Sequence, residues 1–463
     1  MKQLTLTLTL LTLMAVTAFP QASFYHEYLK YQEASMTTRR FKHEDVVAVV
    51  GKLNKNFRIT PLGKSVEGRS INLISYGQGP VQVLMWSQMH GDETTATRAI
   101  LDIFKFLQAR DAHDAFRQKI KTSITWHFIP MLNPDGAARF TRRNHDGIDI
   151  NRDALRLQTP EGRILKRVRD SLRADWGFNL HDQGRGMAVN GKPATISLLA
   201  PPYNQARDVN DSRGDAMQLI KQMHDLVIQF IPGQVGLYSD DFEPRAFGDN
   251  LQKWGTRTIL IESGGFADDW EKQEIRRLNF AMLMTAVGSI IDKGFESIPI
   301  KAYDEIPKNS DGRMTELIVK NIRYQGIVRD IGIDRQEVNS EDFRSYYARF
   351  FISDIGDLST SSAYKTVDVA GFEVLPGKVY PEAIDTWDQF LKVPLDQLMK
   401  DGFTDFVVKG PVNKFSQQVK VNIHGQQPTT NGDVQLGSNP SLIFRNGNKV
   451  EYLLINGSII KVN

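Results

Sequence analysis

The sequence predicts a mixed α/β domain, with a central sheet flanked by helices, followed by a smaller, mainly β domain. Apolar strand-like runs alternate with amphipathic helical patterns over residues 23–300. The run at 81–86 is apolar along nearly its whole length, which is typical of a strand that is covered on both faces. After about residue 300, short β-like runs and Asn-Gly turns replace the helical patterns. We therefore expect a first domain at residues 23–300, large enough to hold an active site, and a smaller accessory domain at residues 301–463.

The elements of the first domain follow from local patterns, taken in chain order. Residues 23–60 have the pattern of a helical lead-in. Apolar residues within 93–110 recur every three or four positions, as on one face of a helix, and Pro160 stands where another helix would begin. The predicted strands are 71–76, 81–86, 124–129, 178–180 and 257–261, and the predicted helices are 93–110, 159–174, 212–231 and 271–291, with an irregular loop at 182–210.

The second domain is predicted from short runs that are rich in strand-forming residues. Asn446-Gly447 and Asn456-Gly457 are typical hairpin turns. The predicted strands are 327–331, 349–353, 364–369, 405–409, 419–423, 441–444 and 452–455. We expect this domain to pack against the first one or to present substrate to it.

Composition excludes several classes of function. The chain has 463 residues, of which 41% are hydrophobic, enough for a large core. Its 57 basic and 54 acidic side chains leave a formal charge of +3, which gives no argument for a nucleic-acid partner or an anionic membrane surface. The chain has no cysteine, so we expect neither a disulfide framework nor a lipoprotein anchor.

Residues 1–22 have the pattern of a secretory signal peptide. Lys2 supplies a positive start, an apolar and threonine-rich stretch runs from Leu4 to Val16, and small residues follow. No later run of about 18 apolar residues predicts a membrane-spanning helix. We therefore expect a bacterial periplasmic or secreted protein that keeps no membrane anchor after the signal peptide is removed.

Three side chains with useful chemistry stand at or just after the ends of predicted strands. His90 follows the strand 81–86, His181 follows 178–180 and Glu262 follows 257–261. Sites in open α/β sheets gather at the carboxyl ends of the strands, so these residues are expected to converge. His90 and Glu93, three residues apart, with His181 supply two imidazoles and a carboxylate, the ligand set of a hydrolytic zinc site with one open position. Glu262 is the candidate general base.

Polar residues between these strands supply the remaining functions. Arg142, which competes with Arg143 for the role, can donate to the oxyanion that develops on a scissile carbonyl. Asn151 and Arg152 can hold a substrate carboxylate, because a guanidinium matches a carboxylate in bidentate geometry. Asp149 can accept a hydrogen bond from a ligand histidine and fix its tautomer. The pairs at 39–40 and 276–277, all arginines, are interpreted as parts of solvated faces.

Over about residues 62–265 the chain resembles the zinc carboxypeptidases of the funnelin type. The shared features are the turn 63–69 (GKSVEGR), the segment 90–93 (HGDE), the segment 133–136 (NPDG), Arg142, the segment 147–152 (GIDINR), His181 and Glu262. The resemblance implies one zinc ion held by His90, Glu93 and His181, with Glu262 as general base. It further implies that Arg142, Asn151 and Arg152 hold the substrate.

The sequence departs from this family at two places. Asp153 stands where the family usually has asparagine. Counting back from Glu262 places Asp240 where digestive members have a tyrosine on a mobile loop, with Tyr238 nearby, so no tyrosine is assigned. The residue that determines the side-chain pocket is expected within 247–254, where Asp249 would favour a basic side chain.

The expected function is that of an exported zinc metallocarboxypeptidase. It would hydrolyse the last peptide bond of a peptide with a free C-terminal carboxylate, using metal-activated water and a glutamate base. An amidase that trims the stem peptides of cell-wall muropeptides uses the same residues and stays open, as does deacylation of a small N-acyl amino acid. The alternative from another class is a non-catalytic binding protein with the same fold.

Overall fold

The computed structural model describes residues 22–310, 314–412, 419–428 and 434–462. The predicted signal peptide lies outside the described residues, apart from its last position, Ala22. Within the described part of the chain, the search for helices of sufficient length and apolarity to cross a bilayer finds none.

The first part of the chain is built on a mixed sheet. Its strands are β1 (Phe57–Lys64), β2 (Ser70–Gly77), β3 (Val81–Ser87), β4 (Ile124–Ile129), β5 (Trp176–Asp182), β8 (Ile196–Leu199), β9 (Val235–Leu237) and β10 (Arg257–Ser263), and a separate small hairpin is formed by β6 (Ala188–Val189) and β7 (Lys192–Pro193). Among the described residues, eight strands lie in the order β1-β2-β4-β3-β5-β10-β8-β9. Strands β4, β3, β5 and β10 are parallel neighbours, and antiparallel pairs extend the sheet on both sides. The predicted mixed central sheet is therefore confirmed.

Helices cover both faces of this sheet because its central strands are apolar on both faces. They are α1 (Ala22–Glu27), α2 (His43–Val50), α3 (Thr95–Gln108), α4 (Asp114–Ser123), α5 (Pro134–Arg139), α6 (Pro160–Leu172), α7 (Asp211–Val227), α8 (Phe247–Lys253) and α9 (Gln273–Asp292). Along β3, Val83 and Met85 join the hydrophobic cluster that contains α3 and α9, whereas Leu84 and Trp86 join the cluster that contains α6 and α8. This alternation follows from the two-residue period of a strand.

The structure corrects the sequence prediction at short strands. Residues 182–210 were expected to be an irregular loop, but they contain the hairpin β6–β7 and the central-sheet strand β8. Residues 57–60 were assigned to a helical lead-in, but they begin β1, and β9 was also missed. Strands of three or four residues are too short to show a period, and Pro61 in β1 argues locally against a strand. Because β1 is an edge strand, it tolerates this proline.

The C-terminal part is rich in β-structure, as expected. Its elements are β11 (Met314–Tyr324), β12 (Ile327–Asn339), β13 (Tyr346–Gly356), β14 (Ser362–Asp368), β15 (Glu373–Pro376), β16 (Lys378–Val379), α10 (Trp387–Phe390), α11 (Leu395–Lys400), β17 (Phe403–Val407), β18 (Asn422–His424), β19 (Ser441–Asn446), β20 (Lys449–Ile455) and β21 (Ser458–Lys461). The described strands form the sheets β13-β12-β11-β14, β15-β19-β20-β21 and β16-β17-β18. Asn456 and Gly457, with φ of 48° and 68°, form the predicted hairpin turn between β20 and β21.

A buried histidine makes the stability of the first part depend on pH. His127 in β4 is 1% exposed. Its Nε2 donates to Gln82 Oε1 at 2.9 Å, and its Nδ1 accepts from Ser75 Oγ at 2.8 Å, so the ring is held in its neutral form. Burial lowers the pKa of His127 from 6.5 to about 4. The unfolded chain therefore takes up a proton near pH 6.5 and the folded chain only near pH 4.

This difference sets the sign of the pH effect. The stabilisation by neutral His127 is fully present above about pH 6.5 and is lost as the pH falls toward about 4. We expect the free energy of unfolding to fall by about 2 kcal/mol more in the wild type than in His127→Gln between about pH 7.5 and about pH 5. Urea-induced unfolding of both proteins at the two pH values measures this difference. Equal pH dependence of the two proteins would contradict the assignment.

Candidate active site

The ends of the central strands bring the predicted site residues together. His181 lies in β5 and Glu262 in β10, and the two residues are direct partners across this parallel pair. His90 lies in the loop between β3 and α3, and Glu93 precedes α3. This loop packs closely on α5, because a Cβ on Gly91 would lie 2.0 Å from the carbonyl carbon of Gly136. A Cβ on Gly136 would instead meet Asn133 Nδ2 at 2.5 Å, so each glycine is required by a close contact of its own.

His90, Glu93 and His181 form a compact, buried group. Their ligand atoms all lie within 4.8 Å of one another. Among the described residues, these three side chains form the group whose geometry suits a metal ion. His90 Nδ1 is 2.7 Å from Glu93 Oε1, His181 Nδ1 is 2.7 Å from Glu93 Oε2, and the two ring nitrogens are 3.2 Å apart. The backbone N–H of Asp182 donates to Glu93 Oε2 at 3.1 Å and helps to hold the carboxylate.

Asp149 orients His90 from the other side of its ring. His90 Nε2 donates to Asp149 Oδ1 at 3.1 Å, as the sequence had suggested for this aspartate. The same carboxylate accepts from Arg142 Nε at 3.0 Å and from the backbone N–H of Asn151 at 2.9 Å. His90 Nδ1 is therefore left facing Glu93 and His181, which is the orientation that a metal ligand needs.

The donor set fits a divalent zinc ion. Two imidazole nitrogens and one carboxylate are the protein ligands of many hydrolytic zinc sites. Burial lowers the pKa of His181 and favours the neutral ring, the form that binds a metal. Burial acts in the same direction on His90, but the neighbouring carboxylates of Glu93 and Asp149 outweigh it and raise its pKa. For Glu93 burial is outweighed by the two histidines, which lower its pKa and keep it ionised.

Arg142 is the arginine that reaches this group. Its Nη1 lies 3.1 Å from His90 Nδ1 and 3.4 Å from Glu93 Oε1, and its side chain is 43% exposed. Arg143 instead donates to the carbonyl of Gly147 at 3.0 Å, on the surface. Of the two arginines, the geometry therefore favours Arg142 as the donor beside the metal group.

Asn151 and Arg152 lie on a short 3-10 turn, Ile150–Arg152, whose N-terminus is capped by Asp149. Asn151 Oδ1 accepts from the backbone N–H of Phe247, the first residue of α8, at 2.9 Å. Arg152 Nε forms an ion pair with Glu243 Oε2 at 3.1 Å, and its side chain is 38% exposed. Both residues are thus joined to the metal group through Asp149, and a substrate carboxylate would compete with Glu243 for Arg152.

Glu262 is enclosed beside the metal group and is 8% exposed. Burial raises its pKa well above the usual range, and the nearby carboxylates of Glu93 and Asp182 act in the same direction. The positive charges of Arg142 and Lys272 oppose this shift. Glu262 therefore shares one electrostatic environment with the metal group and with Arg142.

Tyr238, which the sequence analysis left without a role, lies within the electrostatic reach of the site. It directly follows β9, and burial, together with the charges of Glu262 and Glu93, raises its pKa, while Arg142 and Arg152 act against the shift. Counting along the chain pointed to Asp240, but that carboxylate pairs with Arg207 at 3.1 Å, outside the site. The strand β9, which ends just before Tyr238, could have pointed to this residue, but local sequence patterns do not predict so short a strand.

Asp249, the candidate for a specificity pocket, is held by its own loop. It lies on α8, and its Oδ1 accepts from the backbone N–H of Glu243 at 3.0 Å. Burial raises its pKa to about 7. The carboxyl group is thus partly protonated near neutral pH, which weakens the case for a pocket that selects a basic side chain.

Comparison with known proteins finds zinc carboxypeptidases similar to part of this chain. Residues 46–178 match the family model described as zinc carboxypeptidase. Similar curated proteins include carboxypeptidase SOL1 of Arabidopsis thaliana, 28% identical over 146 residues, and carboxypeptidase M of Mus musculus, 25% identical over 140 residues. These matches cover 28% and 26% of this chain and 30% and 32% of the relatives. An uncharacterised protein of Zymomonas mobilis is 26% identical over 145 residues, covering 30% of this chain and 37% of that protein. The match thus spans about a third of the length of each relative.

Solved structures of similar shape include two bacterial metallo-carboxypeptidases. The enzyme from Burkholderia cenocepacia is 18% identical with a TM-score of 0.46, covering 55% of this chain and 70% of that chain. The enzyme from Pseudomonas aeruginosa, solved in complex with (2-guanidinoethylmercapto)succinic acid, is 18% identical with a TM-score of 0.45, covering 54% of this chain and 69% of that chain.

Proposed function

Because residues 46–178 match the zinc carboxypeptidase family, we propose that this chain is an exported zinc metallocarboxypeptidase. The observation that carries the proposal is the buried group of His90, Glu93 and His181, with Glu262 and Arg142 beside it. The proposed substrate is a peptide with a free C-terminal carboxylate. Export rests on the pattern of residues 1–22.

The metal group and Glu262 supply the hydrolytic chemistry. A zinc ion held by His90, Glu93 and His181 would polarise the scissile carbonyl and make its attacking water more acidic. The positive charge of the bound metal would lower the raised pKa of Glu262 and favour its ionised form. Glu262 then takes the proton from this water and passes it to the nitrogen of the leaving residue. Asp149 keeps His90 in the required tautomer, because it accepts from His90 Nε2. Each of these groups is buried, so little bulk water competes with the substrate.

The polar groups on the Asp149 side explain a preference for the chain end. Arg142 Nη1, beside His90 Nδ1, donates to the oxygen of the scissile carbonyl as negative charge develops on it. Asn151 and Arg152 bind the terminal carboxylate, and Arg152 exchanges its ion pair with Glu243 for the substrate. An amidated or internal residue lacks this carboxylate, so Arg152 would keep its ion pair with Glu243 and the substrate would gain no charged contact.

Mass spectrometry of reaction products tests the proposal. The substrates are a peptide pool with free C-termini, the same pool amidated, and purified muropeptides, each treated with zinc-loaded and with chelated protein. We expect loss of one residue from free C-termini only, abolished by chelation and restored by zinc. Cleavage of muropeptides alone would make the protein a cell-wall amidase, and tight zinc binding with no cleavage would make it a binding protein.

A further inference from the structure

A cavity adjoins the metal group on the side of Glu93. Its volume is about 500 Å³, within the range of pockets that bind small molecules. Asp92, Glu93 and Asp182 line it where it meets the metal group. The opposite wall comes from β11, β12 and β13 of the C-terminal part and consists of Met314, Glu316, Asp334, Arg335, Glu337 and Phe351. The two parts of the chain therefore build this cavity together.

The C-terminal wall is fixed to the loops that surround the metal group. Arg185 donates from Nε and Nη2 to Glu316, at 2.8 and 3.0 Å. The hydroxyl of Tyr364 donates to the carbonyl of Arg185 at 2.7 Å. This hydroxyl comes so close to the loop after β10 that a Cβ on Gly265 would lie 1.9 Å from it. Such contacts hold the cavity wall in a defined position beside the site.

Three arginines come together at one end of the cavity. Arg39, Arg40 and Arg335 all pair with Glu337, at 2.5, 2.5 and 3.3 Å. Glu271 also lies here and accepts from the backbone N–H of Arg39 at 2.7 Å. Three guanidinium groups thus share the carboxylate of Glu337, and Asp334 also lines the wall beside them. We call Arg39, Arg40 and Arg335 the arginine cluster. Arg39 and Arg40 were expected to be solvated, but they are only 9% and 2% exposed.

The arginine cluster keeps hydrogen-bond donors that its neighbours do not use. Arg39 and Arg335 line the cavity, and within the described part of the chain the Nε atom of each is buried without a hydrogen-bond partner. Arg335 lies over the ring of Trp270, 4.1 Å from its centroid, with its side chain 6% exposed. Buried donors without partners are costly, and an oxyanion is the partner that a guanidinium binds best.

Three other charged groups on the cavity wall, Glu316, Lys272 and Asp334, already have partners. Glu316 is neutralised by Arg185, and Lys272 donates to Asp182 at 3.1 Å. Asp334 has an interaction of its own. At the end that meets the metal group, Asp92 Oδ1 and Asp182 Oδ1 are also buried without a partner, but these atoms are acceptors. Among the described residues of the wall, the donors without a partner belong to the arginine cluster, so an anion would bind there.

We propose that the arginine cluster is a substrate subsite that binds an acidic side chain on the acyl part of the peptide, the part that remains after cleavage. Arg142, Asn151 and Arg152, which bind the leaving residue in the proposed function, contact His90 and Asp149 and are not part of the cavity wall. The cavity thus lies where the rest of the substrate continues beyond the metal group. This inference rests on the proposed function and makes acidic peptides the preferred substrates.

Paired peptides test the subsite. Each pair has the same C-terminal residue and differs only in Glu against Gln at the first, second or third position before the scissile bond. At one of these positions the wild type is expected to cleave the Glu peptide with a kcat/KM about 10- to 100-fold higher, as for a hydrogen bond between charged groups. Arg335→Gln is expected to bring this ratio close to one, and Arg335→Lys to keep part of it.

The ratio does not depend on how much of a variant is folded, since both peptides meet the same preparation. Arg349→Gln, on the exposed face of β13, is the matched control and keeps the wild-type ratio. Equal rates for Glu and Gln peptides in the wild type, or an unchanged ratio in Arg335→Gln, would overturn the subsite and leave the carboxypeptidase intact. If no peptide is cleaved, calorimetry with the same pairs decides: tighter binding of the Glu peptide supports the subsite without the enzyme, and equal binding overturns both.

Discussion

Replacement of Glu262 by glutamine is expected to lower kcat by at least about a thousandfold while zinc stays bound. The amide has nearly the same shape as the carboxylate but cannot take a proton from the attacking water. It also removes a negative charge beside the metal group, where charge rearranges during the reaction. The ligand atoms that converge are those of His90, Glu93 and His181, so the substitution leaves the metal site itself complete. Steady-state kinetics and zinc content of the same preparation measure the two effects.

Glu274→Gln serves as the control for this experiment. Glu274 is at the start of α9, accepts a hydrogen bond from Tyr25 and does not contact the metal group. We expect its turnover and zinc content to be those of the wild type. Wild-type turnover by Glu262→Gln would exclude Glu262 as the base, and loss of zinc from that variant would show that Glu262 supports the metal instead.

Replacement of Asp102 by alanine is expected to lower the free energy of unfolding by about 3–5 kcal/mol. Asp102 is fully buried on α3. Its carboxylate accepts from Arg276 Nε at 2.7 Å, from the Tyr28 hydroxyl at 3.0 Å and from the backbone N–H of Glu33 at 2.7 Å. Without it, the buried guanidinium of Arg276 loses its charged partner.

A second buried arginine increases this penalty. Arg98, also on α3, is fully buried, and burial together with the charge of Arg276 lowers its pKa to about 10. Asp102 is thus the carboxylate that offsets the positive charge of Arg276, which acts on the second positive charge, that of Arg98. The midpoint of urea-induced unfolding, read by circular dichroism, measures the loss of stability in Asp102→Ala.

Asp114→Ala is the matched control, because Asp114 pairs with Arg117 at the surface and its side chain is 63% exposed. We expect a loss of roughly 1 kcal/mol or less from this variant. The double variant Asp102→Leu with Arg276→Met removes both buried charges and is expected to recover part of the stability that Asp102→Ala loses. An effect of Asp102→Ala no larger than that of Asp114→Ala would contradict the assigned role.

The sequence by itself determined the central fold and the residues that converge. Strand runs that are apolar on both faces can only lie inside a covered sheet, so the α/β class followed from local pattern. The positions of His90, His181 and Glu262 at strand ends predicted their meeting, because the central strands are parallel and share one edge. The helix that begins at Pro160 and the turn at Asn456-Gly457 also followed from local backbone preferences.

Only the tertiary structure decided which charged residues are buried and what they contact. Arg39 and Glu337 are separated by 298 positions, and Arg276 and Asp102 by 174, so no local pattern relates the partners. The arginines at 39 and 276 were therefore expected on solvated faces, but they are buried because long-range carboxylates offset their charge. The arginine cluster was missed for the same reason, because its residues come from both ends of the chain. Tyr238 was missed because it follows a strand that is too short to show a period.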